Sequence, residues 1–351
     1  MTITSHQVTA HLPIGIAPAT TTPLEVKSST IAFDEKWSPF IQQTLVCKLP
    51  LDGNAHLFTN PALGQRVVTE VKRFNADGSS YQELSLSLAI RTTSWDYNAG
   101  ELTITAESDE SLLQDVVYAV VPGGYPALIS STMTAKLTAA FAYQPLLAGA
   151  TIDSTGYSNP SVITDSPDPR DRLGATVWNQ FSASLEKTSS RCWSEGGGKF
   201  FIRDHPYVRA GEVTLGVGNN AKRANQDLTR DGNLWADGVL IVYRWKDTSG
   251  VDQIDTDVAY TGAGALNSTK WVVFNRTGPA PAGNAAQPIL DRLQQRAAAV
   301  VIEAVADYTV RPSQVAHVTL PDSEFPFDTH TSRVEFRHPE NTMTVTMRSD
   351  S

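Results

Sequence analysis

The stretch YQELSLSLAI at residues 81–90 sets Leu84, Leu86, Leu88 and Ile90 on one side and Glu83, Ser85 and Ser87 on the other. Successive side chains of a strand point to opposite faces, so this alternation describes an antiparallel strand with one face buried and one in water. Four more segments between 26 and 107 share the character: LEVKSSTIAF, TLVCKLPL, GQRVVTEVKRFN and ELTITAE. Turn-forming LDGN (51–54), NADGSS (75–80) and YNAG (97–100) separate them. Strands at such short spacing predict a small barrel or sandwich.

The next stretch, TITAESDESLLQDVVYA (103–119), changes period from strand to helix, and Glu107, Asp109 and Glu110 crowd the change. Negative charge is stabilised at a helix start, so Ser108 or Asp109 is expected to cap a helix whose Leu112, Leu113 and Val116 face inward. On that reading Asp109→Ala costs about 0.5–2 kcal/mol of stability and no chemistry. VPGGYP (121–126) ends the helix. STMTAKLTAAFAYQ (131–144) predicts another, with Met133, Leu137, Ala140 and Phe141 inward, and 149–169 is a polar connection. From Asp168 as N-cap and Pro169 at the first helical position, a helix to 188 buries Leu173, Val177, Trp178, Phe181 and Leu185. SRCWSEGGGKFFIRD (190–204) follows as a hairpin turning at Glu195–Gly198.

Beyond 210, ADGVLIVYRWKD (236–247) and TKWVVFNRTG (269–278) are β-prone, and 316–322, 331–338 and 342–349 alternate again, the last with Met343, Val345 and Met347 on one face. Between them an apolar stripe from Ile289 to Tyr308 predicts one long helix over 286–308. The fold class is therefore mainly β with an α+β insertion. Four parts are expected: an N-terminal arm (1–25), a first β-barrel-like domain with a C-terminal helix (26–125), a connecting helix-hairpin domain (126–209) and a second β-barrel-like domain (210–351). The arm is polar and rests on its own domain or on a neighbouring subunit. No 18-residue apolar window predicts a membrane span, and MTITSHQVTAHLPIG has neither the basic region nor the apolar core of a secretory signal.

Chemistry is sparsely signalled. With 28 basic and 37 acidic residues the net charge is −9, which argues against tight electrostatic binding of nucleic acid while letting DNA pass without sticking. Cys47 and Cys192 are expected to be reduced, buried thiols. Asp252, Asp255 and Asp257 lack the Gly and Glu positions of a calcium loop and are expected in a solvated hairpin turn. His330 and His338 would share a strand face but stand well over 20 Å apart, at about 3.3 Å per residue, too far to share an ion. His205 is a loop histidine. No G-x-S-x-G or P-loop occurs; 216–222 and 262–266 are Gly-rich turns, and the sequons at 267–269 and 275–277 matter only in a secreted chain. No catalytic, cofactor or metal residue is assigned, and no enzyme is expected. Trp235, Tyr243, Trp245 and Trp271 are either an exposed glycan-binding cluster or the core of the second barrel, and the core is favoured.

In their order, IAFDEKWSPFIQQTLVCKLP (31–50), the strands closing at 103–115, the helix and hairpin of 168–204 and the C-terminal strands of 316–349 resemble the minor tail proteins of long-tailed actinobacteriophages, of the baseplate hub family. The pieces cover about a third of the chain, and their order spans nearly all of it. The resemblance implies a homotrimer in which two related β-barrel domains per chain build a pseudo-sixfold ring at the tail tip of a virion assembled in the host cytoplasm. It implies as partners the distal tail protein, the end of the tape-measure protein and a central fibre or spike, with DNA only in transit. It carries no catalytic residues and no cofactor. A hexameric distal tail protein and a carbohydrate- or receptor-binding tail protein are the alternatives.

Overall fold

The computed structural model describes residues 5–13, 21–50, 55–75, 77–117, 131–162, 175–205, 207–218, 220–228, 236–247, 249–261, 268–280, 285–296, 298–320 and 327–348. The N-terminal run supplies β1 (Ser5–Pro13), β2 (Thr21–Leu24), β3 (Val26–Asp34), β4 (Ile41–Lys48), the short α1 (Ala55–Phe58), β5 (Arg66–Phe74), β6 (Ser80–Asp96) and β7 (Glu101–Glu107). Their alternation is the sequence's own: β7 buries Leu102, Ile104 and Ala106, and β6 buries Leu84, Leu86, Leu88 and Ile90. The hairpin turns fall where Gly and Asp demand them. Gly78 and Gly100 take positive φ, and the Asp96 carboxylate accepts the N–H groups of Asn98 and Ala99.

The middle of the chain forms α2 (Glu110–Gln114), β8 (Ser131–Thr132), α3 (Met133–Phe141), β9 (Thr151–Asp153), β10 (Ser161–Val162), α4 (Val177–Lys187), β11 (Ser190–Ser194) and β12 (Lys199–Asp204). The predicted hairpin is β11 against β12, with β9 added in parallel to β12. Its core unites Met133, Leu137, Phe141, Trp178, Phe181, Leu185, Phe200 and Ile202 with Leu112 and Leu113 of α2. The predicted start at Asp168 and Pro169 lies outside the described residues, as does VPGGYP. The described helix opens at Thr176, whose Oγ1 accepts the N–H of Asn179.

The C-terminal run adds β13 (Arg209–Gly216), β14 (Ala221–Leu228), β15 (Gly238–Lys246), β16 (Asp252–Tyr260), β17 (Trp271–Thr277), α5 (Ala286–Arg296), β18 (Ala298–Val305), β19 (Gln314–Thr319), β20 (Phe327–His338) and β21 (Thr342–Arg348). Three expectations are corrected here. The long helix of 286–308 ends at Arg296 and is followed by β18 as far as Val305, which buries Val300, Ile302 and Ala304 while Val305 is exposed. Its Val-Val-Ile run satisfies a period of two as well as 3.6, and β-branched side chains favour the strand. The acids of 252, 255 and 257 stand on strand β16, and the turn precedes them at Asp247–Val251. The N-terminal segment is an integral strand: β1 pairs with β5 and buries Val8, Ala10 and Leu12.

The two β runs build one 13-stranded sheet in the order β14-β18-β21-β20-β3-β4-β7-β6-β5-β1-β2, with β19 also on β20 and β13 on β19. Among the described residues it stays open, so two separate barrels are not what the strands form. The seam is β20. Its first residues pair with β19, a register shift falls between Thr331 and Arg333, and the same edge then pairs antiparallel with β3. Across this seam Phe33 meets Phe336 edge to face and Tyr308 stacks on Phe336 with centroids 4.6 Å apart. A separate small unit, β16-β15-β17 with α5 beneath, is inserted between the paired strands β14 and β18 and has its own core of Val239, Ile241, Tyr243, Val272, Leu290 and Leu293. No helix among the described residues is long and apolar enough to cross a membrane.

Because β1 is sheet and not arm, Leu12→Ala is expected to cost about 2–5 kcal/mol in chemical denaturation, the range for a buried leucine; a loss near zero would restore the arm reading.

Candidate functional site

Two acids join the helix-hairpin unit to the large sheet at one place, the end of β7. Ser108 continues the ladder onto β4: its N–H donates to the Ile41 carbonyl, and its Oγ accepts the Ile41 N–H, both at 3.0 Å. Asp109 and Glu110 then turn inward and are withdrawn from water, as are Ser108 and Ser111. Asp109 does not cap α2; its own backbone is helical and its side chain makes no capping bond. One carboxylate oxygen, Oδ1, takes the Arg66 guanidinium, and Oδ2 accepts the Ser194 hydroxyl at 2.9 Å and the Gly198 N–H at 2.7 Å. Glu110 Oε1 accepts two backbone donors, Ser194 N–H at 2.9 Å and Phe40 N–H at 3.2 Å. The expected cap is thus a clamp: two carboxylates bind the β11–β12 hairpin to β4, β5 and β7.

The hairpin tip is shaped for that seat. Gly196, Gly197 and Gly198 take φ of 87°, 65° and 76°, a left-handed run that side chains resist. A Cβ at Gly196 would stand 2.5 Å from the Ser87 carbonyl oxygen, and Gly197 N–H donates to that same oxygen at 2.8 Å, as does Arg66 Nη1. Read alone, Glu195–Gly198 is a turn. Three glycines exceed what a two-residue turn requires, and that excess was the sequence's signal for a docked loop. A second tie lies on β11, where Arg191 reaches Glu35 at 3.3 Å and Ser313 at 2.9 Å and covers the rings of Phe40 and Trp193. A third joins β1 and β6 to the C-terminal half: His6 contacts Glu83 at 2.9 Å and Asn341 at 2.7 Å.

Burial pushes the Glu110 carboxyl up to about 7, against the hydrogen bonds it accepts. Its Oε2 has no partner among the described residues, so a proton there neutralises a buried charge without breaking a bond. Burial, then the neighbouring Glu110, raises the Cys192 thiol; Cys47 is raised by burial, and both cysteines are free. Glu107 remains half-buried, 3.5 Å from Arg91, its carboxyl raised by burial. Neither Asp109 nor Glu110 reaches solvent, so they act as acceptors for backbone and guanidinium donors. The polar cleft of about 250 Å³ between Arg73, Glu212, Asp307 and Gln314 shares no residue with the clamp.

The remaining candidates stay apart. His330 and His338 stand eight residues apart on β20, and burial lowers the His338 imidazole. His205 donates its backbone N–H to Ser189 at 2.8 Å. Asp257 caps α5 through the N–H groups of Ala285 and Ala286, while Asp252 and Asp255 are exposed. No cluster able to hold a metal occurs among the described residues. Gly218 turns β13 into β14, Asn275 is exposed on β17, and 262–266 and Asn267 lie outside the described residues. Of the aromatics, Tyr243 is buried and Trp245 packed in the core of the small unit, not of the large sheet; Trp271 is partly exposed, and Trp235 lies outside the described residues.

No protein-family model matches the chain, and no curated protein matches its sequence. Its fold is that of tail proteins from bacteria and their prophages. Over 99% of this chain and 97% of that one it matches a tail protein from Neisseria meningitidis (TM-score 0.63, 13% identity). The 43 kDa tail protein of prophage MuSo2 from Shewanella oneidensis matches over 98% of both chains (0.62, 12%), and the prophage tail protein gp18 from Listeria monocytogenes over 98% and 94% (0.58, 11%).

Asp109→Ala leaves the Arg66 guanidinium and the Gly198 N–H without this acceptor, while the Ser194 hydroxyl keeps the Lys199 carbonyl, so denaturation should show a loss of about 3–5 kcal/mol, above the range for a cap. Glu110, held above its unfolded value, contributes stability that is full below about 4.5 and is lost as pH rises to about 7. Glu110→Gln should flatten that part of the melting-temperature profile; an unchanged slope would remove Glu110 from it.

Proposed function

We propose that the protein is a structural component of a phage tail, a hub at the tail tip. What carries this reading is the match of fold from end to end, helix-hairpin unit and inserted unit included, to tail proteins of similar length. A hub transmits load and need not turn over a substrate. The chain's polar side chains are spent accordingly: Asp109, Glu110, Arg191 and His6 each tie one unit of the fold to another.

In this reading three copies form a ring between the tube end, with its distal tail protein and tape-measure end, and the central fibre or spike, and DNA passes through the lumen. The net charge of −9 suits such a channel, since a basic wall would bind phosphate. The open sheet supports the same reading, because its ends at β14 and β2 are edges that a neighbour can cover. The glycan-binding alternative is weakened by Tyr243 and Trp245, which fill the core of the small unit.

Light scattering of the purified chain in ring-forming conditions, with cryo-electron microscopy of virions, tests it. Copies in threes at the tail tip are expected. A sixfold ring would move the protein to the distal tail position, and a lone copy would end the ring reading.

A further inference from the structure

The small unit buries only one face of its sheet. Register puts Gly238, Leu240, Val242 and Arg244 of β15 on the other face, beside Tyr260, Val258, Thr256 and Ile254 of β16 and Trp271, Val273, Asn275 and Thr277 of β17. Five of these are large and exposed: Ile254 at 62%, Val273 at 53%, Tyr260 at 40%, Val258 at 39% and Trp271 at 36%. Among the described residues no element packs on them; α5 occupies the opposite side with Val239, Ile241 and Tyr243. The edges differ. Edge strand β16 carries three aspartates, which discourage added strands on that side.

The face is also polar in one direction. Its charged side chains gather at one end, where Arg244 stands six positions or roughly 20 Å along β15 from Gly238 and Lys246 with Asp252 continue the same face beyond it. At the Gly238 end lies the Trp271 ring. A Cβ built on Gly238 would meet Trp271 Cδ2 at 2.6 Å and Cε2 at 2.8 Å, the fused bond at the middle of the indole and not its rim. The ring therefore lies flat over Gly238 with its other face turned outward, and Tyr260 flanks it as the opposite register neighbour of Gly238. A cation at one end and an open aromatic face at the other make the surface complementary to itself when turned end for end.

We propose that this face is a self-association surface, taken by the same face of a second copy of the chain about a twofold axis that crosses the strands near Ile241. That axis lays β16 over β16 and β17 over β17 with strands reversed, so each Arg244 guanidinium stacks on the partner's Trp271, an attraction aromatic faces offer to cations. A twofold axis along the strands would instead set Arg244 against Arg244. Exposed fractions of five large side chains amount to roughly 400 Å² of apolar surface, comparable to the largest patch on a typical monomer. Doubled across two copies and extended by the rim, this reaches the lower end of specific interfaces, about 1,000–1,200 Å².

The test uses the full chain in sedimentation velocity across a concentration series. Wild type should travel as a pair of its basic unit: two copies if the chain is single, six if the proposed threefold ring forms. Val273→Glu and Ile254→Glu, both exposed and outside any core, should halve that mass with the melting temperature unchanged. Arg244→Ala should weaken pairing about tenfold, and Arg244→Lys less, as a cation over an aromatic face requires. Halving from six to three or from two to one supports the pair whichever basic unit holds, so failure of the ring is read separately. Wild type that never pairs, or face variants that keep the wild-type mass, would overturn the proposal.

Discussion

Two carboxylates withdrawn from water, Asp109 and Glu110, hold the junction on which the rest of the structure depends. Burying an acid is costly unless donors surround it, and here the donors come from a hairpin and a loop far apart in sequence: Ser194, Gly198 and Phe40. An apolar contact could hold these elements together, but it would not select one position. The carboxylates do, because Asp109 Oδ2 and Glu110 Oε1 are each matched to particular N–H or hydroxyl donors and Asp109 Oδ1 to the Arg66 guanidinium. Net stability is the weaker part of what such a cluster supplies; a fixed placement of the hairpin on the sheet is the stronger.

The same logic recurs at lower cost around the molecule. Arg191 joins β11 to Glu35 and Ser313, and His6 joins β1 to Glu83 and Asn341, so both halves of the sheet and the helix-hairpin unit are tied by side chains far apart in sequence. In this plan the parts are located by polar contacts and filled by apolar ones.

Much of this was legible in the sequence, and the limits have physical causes. Alternation located β3 to β7, β15, β17 and β19 to β21 because a half-buried strand must show it, and the helix α3 showed its inward residues Met133, Leu137, Ala140 and Phe141. Alternation names the buried face but not the neighbour, so the β3–β20 pairing and the single open sheet were invisible. The stretch of Val300 to Val305 fits two periods at once, and the choice fell to β21, which offers a ladder to it. The acids at the end of β7 were read by what lies next to them in sequence, a helix start, whereas their partners sit some 85 residues downstream in the hairpin. Local chemistry cannot announce a distant donor. The triple glycine was the one trace of it.

The β3–β20 ladder has a consequence for how the molecule is made. About 300 residues separate Ile31 from its register partner Phe336, so the middle of the sheet stays incomplete until nearly the whole chain has left the ribosome. At elongation rates of about 5–20 residues per second, β3 waits roughly 15–60 s with its edge uncovered. During that interval β3, with β4 to β7 already able to pair beside it, presents the kind of strand edge that recruits other chains. The nascent protein's hazard is therefore one of timing, set by topology and not by any weakness of the finished fold.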